Sequence, residues 1–236
     1  MSRSKPTDTS PNPAKKWYEW QGEKGVLRYY DKVRCENVLE PIPFTFLLLD
    51  QLSTIKGWHK ESDSGIYANE VRDTRSEVFV VKAFKGGVLA EGFYKDIRDS
   101  VIAQGGHFAS NCYIAVKENG DLALASIQFK GSALKEWMAF TGDKKNRKQL
   151  YKQAVRIKGF KEGKQGKVIF RTPMFELVSI SAEADTQAMV LDGVLQDYLA
   201  LYFGRPKQEQ AVPAAEAPAQ EEEPFPTAAP DDDEPF

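Results

Sequence analysis

The chain has 236 residues, 42% of them hydrophobic, and a net charge of −2, enough for one sizeable domain or two small ones. Nothing approaches the ~18 consecutive apolar residues of a membrane span, and Met1–Lys16 holds no apolar signal-peptide core. Two cysteines, Cys35 and Cys112, make neither a disulfide framework nor a zinc site; a cytoplasmic protein that contacts no membrane is expected.

The small net charge hides a division. All 32 Lys and Arg lie before Gln208, with 25 of the 34 acidic residues, whereas the last 29 residues hold nine acids and no base. A basic body on an acidic tail suggests a polyanion as partner, and a tail that competes for the same surface.

Residues 1–15 are rich in Ser, Thr, Pro and Lys and read as a flexible N-terminal arm. Residues 16–204 hold nearly all core-forming side chains and are the folded domain. Residues 205–236 are rich in Pro, Ala, Glu and Gln and cannot offset their ordering entropy, so a disordered acidic tail is expected. In the domain, Trp17, Tyr18 and Trp20 follow Lys15-Lys16 as a stacking site or, preferably, as an anchor for the arm. Strands are predicted over 25–31, 33–39, 44–52, 65–71 and 77–84. A helix over 93–104 carries Ile97, Val101 and Ile102 on one side and stops at Gly105-Gly106. Strands 111–117 and 122–130 flank Glu118-Asn119-Gly120-Asp121, whose Asn-Gly pair marks a hairpin. A second helix covers 132–140. Strands 151–160 and 167–180 form a longer hairpin, in which Pro173 bends its arm or sits at a sheet edge. A last helix over 185–203 repeats Ala188, Leu191, Leu195, Tyr198 and Tyr202 at helical spacing, with Gly204 and Pro206 as stop signals. Short strands with inserted helices predict a mainly β fold, a small OB-fold-like barrel with a C-terminal helix.

Residues 143–171 contain eleven bases and two acids. Lys152, Arg156 and Lys158 share a strand face there, and Lys164 and Lys167 continue the row around a glycine-rich loop. Such a row can track phosphates; the competing reading is an edge strand guarded by lysine. Unpaired bases also need flat side chains to stack on. Tyr113 shares a face with Lys117, Tyr67 with Asn69, Trp58 stands between Lys56 and Lys60, and Phe79 shares a strand with Lys82, while Arg72 and Arg75 mark the intervening turn. For each aromatic, core filling competes with stacking; the set points to at least three stackers.

Catalysis finds little support. His59 and His107 lie apart with no ligand at metal spacing, and Asp96 and Asp99 share a surface helix with Arg98. Gly159–Lys164 has glycines one residue too close for a phosphate loop, with Gln165 where Ser or Thr would hold magnesium. No cofactor, no metal and no enzymatic activity are expected.

The chain ends Asp231-Asp232-Asp233-Glu234-Pro235-Phe236. This ending resembles the acidic tip of bacterial and phage single-stranded-DNA-binding proteins, with Glu234 where the bacterial tip carries an apolar residue. The resemblance implies a non-catalytic protein, phage-encoded and acting in a bacterial host cell, that coats single-stranded DNA. Its tip residues 231–236 would recruit replication, recombination or repair proteins, with Phe236 as anchor and its carboxylate as a fork for Arg or Lys. Free barrel edges or the last helix leave room for a homodimer or cooperative array. The alternatives are an adaptor for RNA or duplex DNA, a nuclease, and a strand-annealing recombinase.

Overall fold

The computed structural model of the chain describes residues 11–211. In chain order its elements are β1 (Trp17–Gln21), β2 (Val26–Asp31), β3 (Glu36–Glu40), β4 (Phe44–His59), β5 (Ser64–Ala68), β6 (Phe79–Ala83), β7 (Gly87–Gly92), α1 (Tyr94–Ala103), β8 (Gly106–Glu118), β9 (Asp121–Lys130), α2 (Gly131–Gly142), α3 (Lys144–Arg147), β10 (Ala154–Gln165), β11 (Val168–Val178), α4 (Ala182–Phe203) and α5 (Lys207–Gln210). The strands form one mainly antiparallel sheet ordered β3-β2-β1-β9-β8-β4-β5-β6-β7, with β10 joined to β4 and β11 to β10. Among the described residues the one parallel pairing joins β1 to β9. The predicted mainly β class is therefore present. The ladder does not close into a ring, although the Arg171 N–H donates to the Gly22 carbonyl and the Trp20 indole to the Arg171 carbonyl, drawing β11 against the β1–β2 turn.

Sixteen residues long, β4 organises the sheet. It pairs with β8 from Leu47 to Gly57, with β10 at Phe44–Phe46 and with β5 at Lys56–His59. Because strand side chains alternate, β4 past its irregularity at Leu48/Asp50 sends Gln51, Ser53, Ile55 and Gly57 to an inner face and Asp50, Leu52, Thr54, Lys56 and Trp58 to an outer one.

The inner face carries the larger core. Around the fully buried Trp137 of α2 pack Phe46, Phe129, Phe140 and Phe175, and the Trp137 indole N–H donates to Gln51 Oε1 at 3.0 Å. A satellite cluster buries Ile55, Ile66, Phe79 and Val81 beneath Ile97 and Val101 of α1; Ile102, expected on that side, is 40% exposed. The α1–β8 turn lies so close to β4 that a Cβ on Gly57 would strike the Gly105 carbonyl oxygen, and Gly105 itself has φ +89°, which only glycine adopts without strain.

On the outer face α4 buries Leu195, Tyr198, Leu199 and Tyr202 against Leu52, Tyr113 and Leu124. Its N-terminus is capped by Ser181, whose hydroxyl accepts from the Ala184 N–H, with Glu183 and Asp185 in the first turn complementing the dipole. Met189, Val190, Val194 and Leu201 on its far side face solvent; a self-association through this helix would use them.

Local signals behave as read at several points. Asn119 and Gly120 take positive φ in a two-residue turn between paired Glu118 and Asp121, and Pro173 lies on β11, which among the described residues pairs only with β10. Both ends of the domain differ from the sequence-drawn boundaries. Ala14 is 2% exposed and the Lys15 N–H donates to the Leu124 carbonyl, so the end of the expected arm lies on the outer face. Residues 205–211, drawn as the start of the tail, are docked. Lys207 pairs with Glu77 at 3.0 Å, the Tyr202 hydroxyl donates to the Gln210 carbonyl, and Ala211 is 2% exposed. The remainder of the expected tail, with tip residues Asp231, Asp232, Asp233, Glu234, Pro235 and Phe236, lies outside the described residues, as do residues 1–10.

Candidate nucleic-acid interface

Along β4 the outer face changes character. Under α4 it is apolar, with Leu52 and Tyr113. Next comes a polar network in which the buried Asn111, Tyr113 and Tyr202 surround a half-buried Glu70. The Tyr113 hydroxyl donates to Glu70 Oε2 at 2.8 Å, Asn111 Nδ2 donates to Oε1, and the Glu70 N–H donates to the Tyr202 hydroxyl at 2.7 Å. Asn12 Nδ2 donates to the Tyr113 hydroxyl, tying the N-terminal segment in. Burial pushes the Glu70 carboxyl above its ordinary range, against the pull of Tyr113, Asn111 and Lys56. Burial, then the Glu70 charge, pushes the Tyr113 phenol well up.

Beyond the network the face opens. Register places His107 opposite Lys56, Lys56 opposite Tyr67, and Tyr67 opposite Lys82, one cross-strand row over β8-β4-β5-β6. Lys130 and Gln128 stand on the same face through β8, and Gln128 pairs with Glu19. Burial alone would raise the Glu19 carboxyl, but Lys130, Arg28 and Lys56 together hold it below the usual range, so three cations converge on one acid. In the next row Trp58 lies opposite Gly65, and the Phe84 N–H donates to the Gly65 carbonyl from the far side. Trp58 and Tyr67 are half-buried and Phe84 is 49% exposed.

Of the sequence-derived candidates, the fold thus brings Trp58, Tyr67 and Lys82 together. Lys82 does more than expected: its ammonium donates to the Gln208 carbonyl at 2.7 Å and to that of Ala211, which fastens the C-terminal segment to this edge. Arg72 and Arg75 lie in the turn between β5 and β6. Arg72 is committed to structure, with an ion pair to Asp50 at 2.9 Å and its guanidinium over Phe203, while Arg75 is exposed.

Two aromatic candidates are corrected. Phe79 and Tyr113 are each 0% exposed. Phe79 fills the cluster under α1, and Tyr113 is sealed beneath α4 with its hydroxyl on Glu70. Neither can present a ring to a base. Phe79 lies on the inner face under α1, opposite to Lys82, and Tyr113 lies where α4 covers the outer face; the sequence of one strand does not reveal the helix above it.

The basic row of β10 forms a separate region. Arg156 lies opposite Thr45 at the other end of β4, near the Leu47–Ala154–Ala188 contact with the first half of α4. Arg156 and Lys158 share Glu176 at 3.6 and 3.4 Å, Lys161 pairs with Glu136, and Arg171 with Glu162. These part-exposed pairs contribute little to stability and exchange partners readily. Lys152 is exposed just before the strand; Lys164 and Lys167 are exposed at the hairpin tip. Lys117 is exposed where β8 meets its hairpin, on the flank of the first half of α4, where Gln187 accepts from the Leu122 N–H. Sequence reasoning missed Lys56, Lys130, Gly65 and Phe84. Their signal is the register between distant strands, visible only once β4 is known to extend to His59.

His59 is 7% exposed and bonded to Ser62 on the opposite face. Among the described residues no three His, Cys, Asp or Glu side chains are grouped to hold a metal ion, and no helix is long and apolar enough to cross a membrane. Comparison with protein-family models, curated proteins and solved structures finds no match to this chain, so its function rests on the arrangement of its own residues.

Proposed function

We propose that this chain is a non-catalytic single-stranded-DNA-binding protein that holds the strand on the open end of the sheet's outer face. The observation that carries the reading is the adjacency, in two neighbouring cross-strand rows, of Trp58 and Tyr67 with Lys56 and Lys82. Stacking on aromatics contributes ~1–3 kcal/mol per base and is indifferent to sequence, while cations release counterions from the phosphates. A duplex hides its base faces and cannot use the rings. The exposed lysines of the β10–β11 hairpin give a bound strand a second, purely electrostatic region. The hairpin's reach from β4 to the β1–β2 turn supports an OB-fold-like reading of the inner core.

In the same reading the Asp-rich ending to Phe236 recruits replication, recombination or repair proteins. It follows Ala211, whose carbonyl is held by Lys82, so the tail begins beside the cations for which it would compete.

The test is tryptophan fluorescence titrated with oligo(dT) at two salt concentrations, with duplex of equal length as competitor. Quenching that weakens steeply with salt and resists duplex is expected. Equal competition by duplex, or no quenching at low salt, would reject the proposal. Adding magnesium to labelled strands tests for a nuclease, and mixing complementary strands tests for annealing.

A further inference from the structure

Gly65 is flanked across the sheet by Trp58 on β4 and Phe84 just past β6. All three positions share the outer face, because Lys56, Tyr67 and Lys82, two residues along each strand, form the neighbouring row. A Cβ built on Gly65 meets no heavy atom within 4 Å, so neither ring folds over the glycine and its floor is clear. Gly65 has no positive φ that would demand glycine. Glycine in a strand interior weakens it and often marks a place where another group approaches the backbone. Phe84 is 49% exposed and belongs to none of the buried clusters.

We propose that this trough, floored by Gly65 and walled by Trp58 and Phe84, seats one unpaired nucleobase. The inference rests on the single-strand reading above and names the base contact within it. Two strand spacings separate the walls by about 9.5 Å at the backbone. A flat ring in van der Waals contact with a wall on each side needs about 7 Å between the wall planes, a gap that modest inward leaning of either side chain produces. The row of Lys56, Tyr67 and Lys82 lies about 7 Å away along the strands. The base would sit in the trough with its phosphates over Lys56 and the third N–H of Lys82, whose other two hold the Gln208 and Ala211 carbonyls, and Tyr67 would stand under the neighbouring nucleotide. Gly65 and Phe84 offer no side-chain hydrogen-bonding group and Trp58 only its indole N–H, so stacking rather than edge reading holds the base and the seat takes any base.

The test uses the full chain and fluorescence anisotropy with two labelled strands of equal length, oligo(dT) and a strand of abasic spacers carrying the same phosphates. Three variants are compared. Phe84→Ala removes a wall, Trp58→Ala removes the other, and Gly65→Val fills the seat without removing a ring; valine suits a strand, and circular dichroism checks the fold. The wild-type chain should prefer oligo(dT). Phe84→Ala and Gly65→Val should each weaken oligo(dT) binding roughly tenfold, as expected for one lost stack, with abasic-strand binding unchanged. If Phe84→Ala and Gly65→Val leave oligo(dT) affinity intact while the wild-type chain binds it, the seat is overturned and the single-strand reading stands. Equal losses for both strands would mean that the trough holds phosphate, which also overturns the seat. A wild-type chain that binds neither strand overturns the parent reading.

Discussion

Tyr113 and Tyr67 stand on the same outer face of one sheet, each among polar neighbours in sequence. Tyr113 lies under α4, fully buried, with its hydroxyl on the Glu70 carboxylate. Tyr67 lies beyond the helix, half-buried between Lys56 and Lys82. One ring is structure and the other is surface, and the difference comes from where a 22-residue helix, far along the chain, comes to rest. A strand's alternation determines which face a residue joins; what covers that face is decided elsewhere.

Substitution should separate the two halves most sharply through stability. Tyr113→Ala leaves a cavity and Glu70 Oε2 without its donor, and should cost about 3–5 kcal/mol in denaturant unfolding, whereas Tyr67→Ala should cost under about 1.5 kcal/mol. If the two unfold alike, the covered and open halves are not distinct. Tyr67→Ala should instead weaken oligo(dT) binding by about 1–3 kcal/mol in a fluorescence titration; an unchanged affinity would remove Tyr67 from the interface.

The tail offers a smaller effect on the open half alone. Cutting after Ala211 leaves the carbonyls on Lys82 in place and removes eight acids with no base. Affinity for oligo(dT) should rise several-fold at low ionic strength and converge with that of the full chain near 1 M salt, where the screening length is about 3 Å. No gain at low salt would reject competition by the tail.

Glu70 gives the covered half a pH dependence. Its folded pKa is raised, so the stability attached to its neutral form is complete below the unfolded value of about 4.3 and is lost as pH rises through the folded value. The wild-type chain should lose thermal stability relative to Glu70→Gln as pH climbs from about 4 upward, by roughly 1.4 kcal/mol for each unit by which the folded pKa is raised. A constant difference across that range would show that the carboxyl does not titrate there.

The smallest effect separates the two basic regions. Lys56→Ala should flatten the salt dependence of single-strand binding by about 0.7 in log–log slope. Lys158→Ala should change it less, since Lys158 lies on the β10–β11 hairpin and not beside the Trp58 and Tyr67 rows. The opposite order would move the principal phosphate contacts to the β10–β11 hairpin.

Much of the architecture was legible locally. The Asn119-Gly120 turn, the glycines after α1 and the spacing of Ala188, Leu195, Tyr198 and Tyr202 are signals that short stretches carry by themselves. Two strands were not seen. β1 was hidden in an aromatic cluster read as an anchor, and β7 follows a glycine turn with too few branched residues to stand out. The site was legible in part: Trp58, Tyr67 and Lys82 were named, but so were Phe79 and Tyr113, which the helices cover. Lys56, Gly65 and Phe84 escaped because each gains meaning only from residues on another strand.

By itself the sequence determined a mainly β domain, a basic body with an acidic ending, and the supply of aromatics and lysines from which a strand-binding surface can be built. These follow from composition, periodicity and turn chemistry, which act over a few residues. The tertiary structure alone decided which aromatics meet solvent, which lysines stand beside them and which are paired with acids, and where the tail leaves the domain. Those outcomes depend on strand register and on the resting place of α4, both set by packing between segments far apart in the chain.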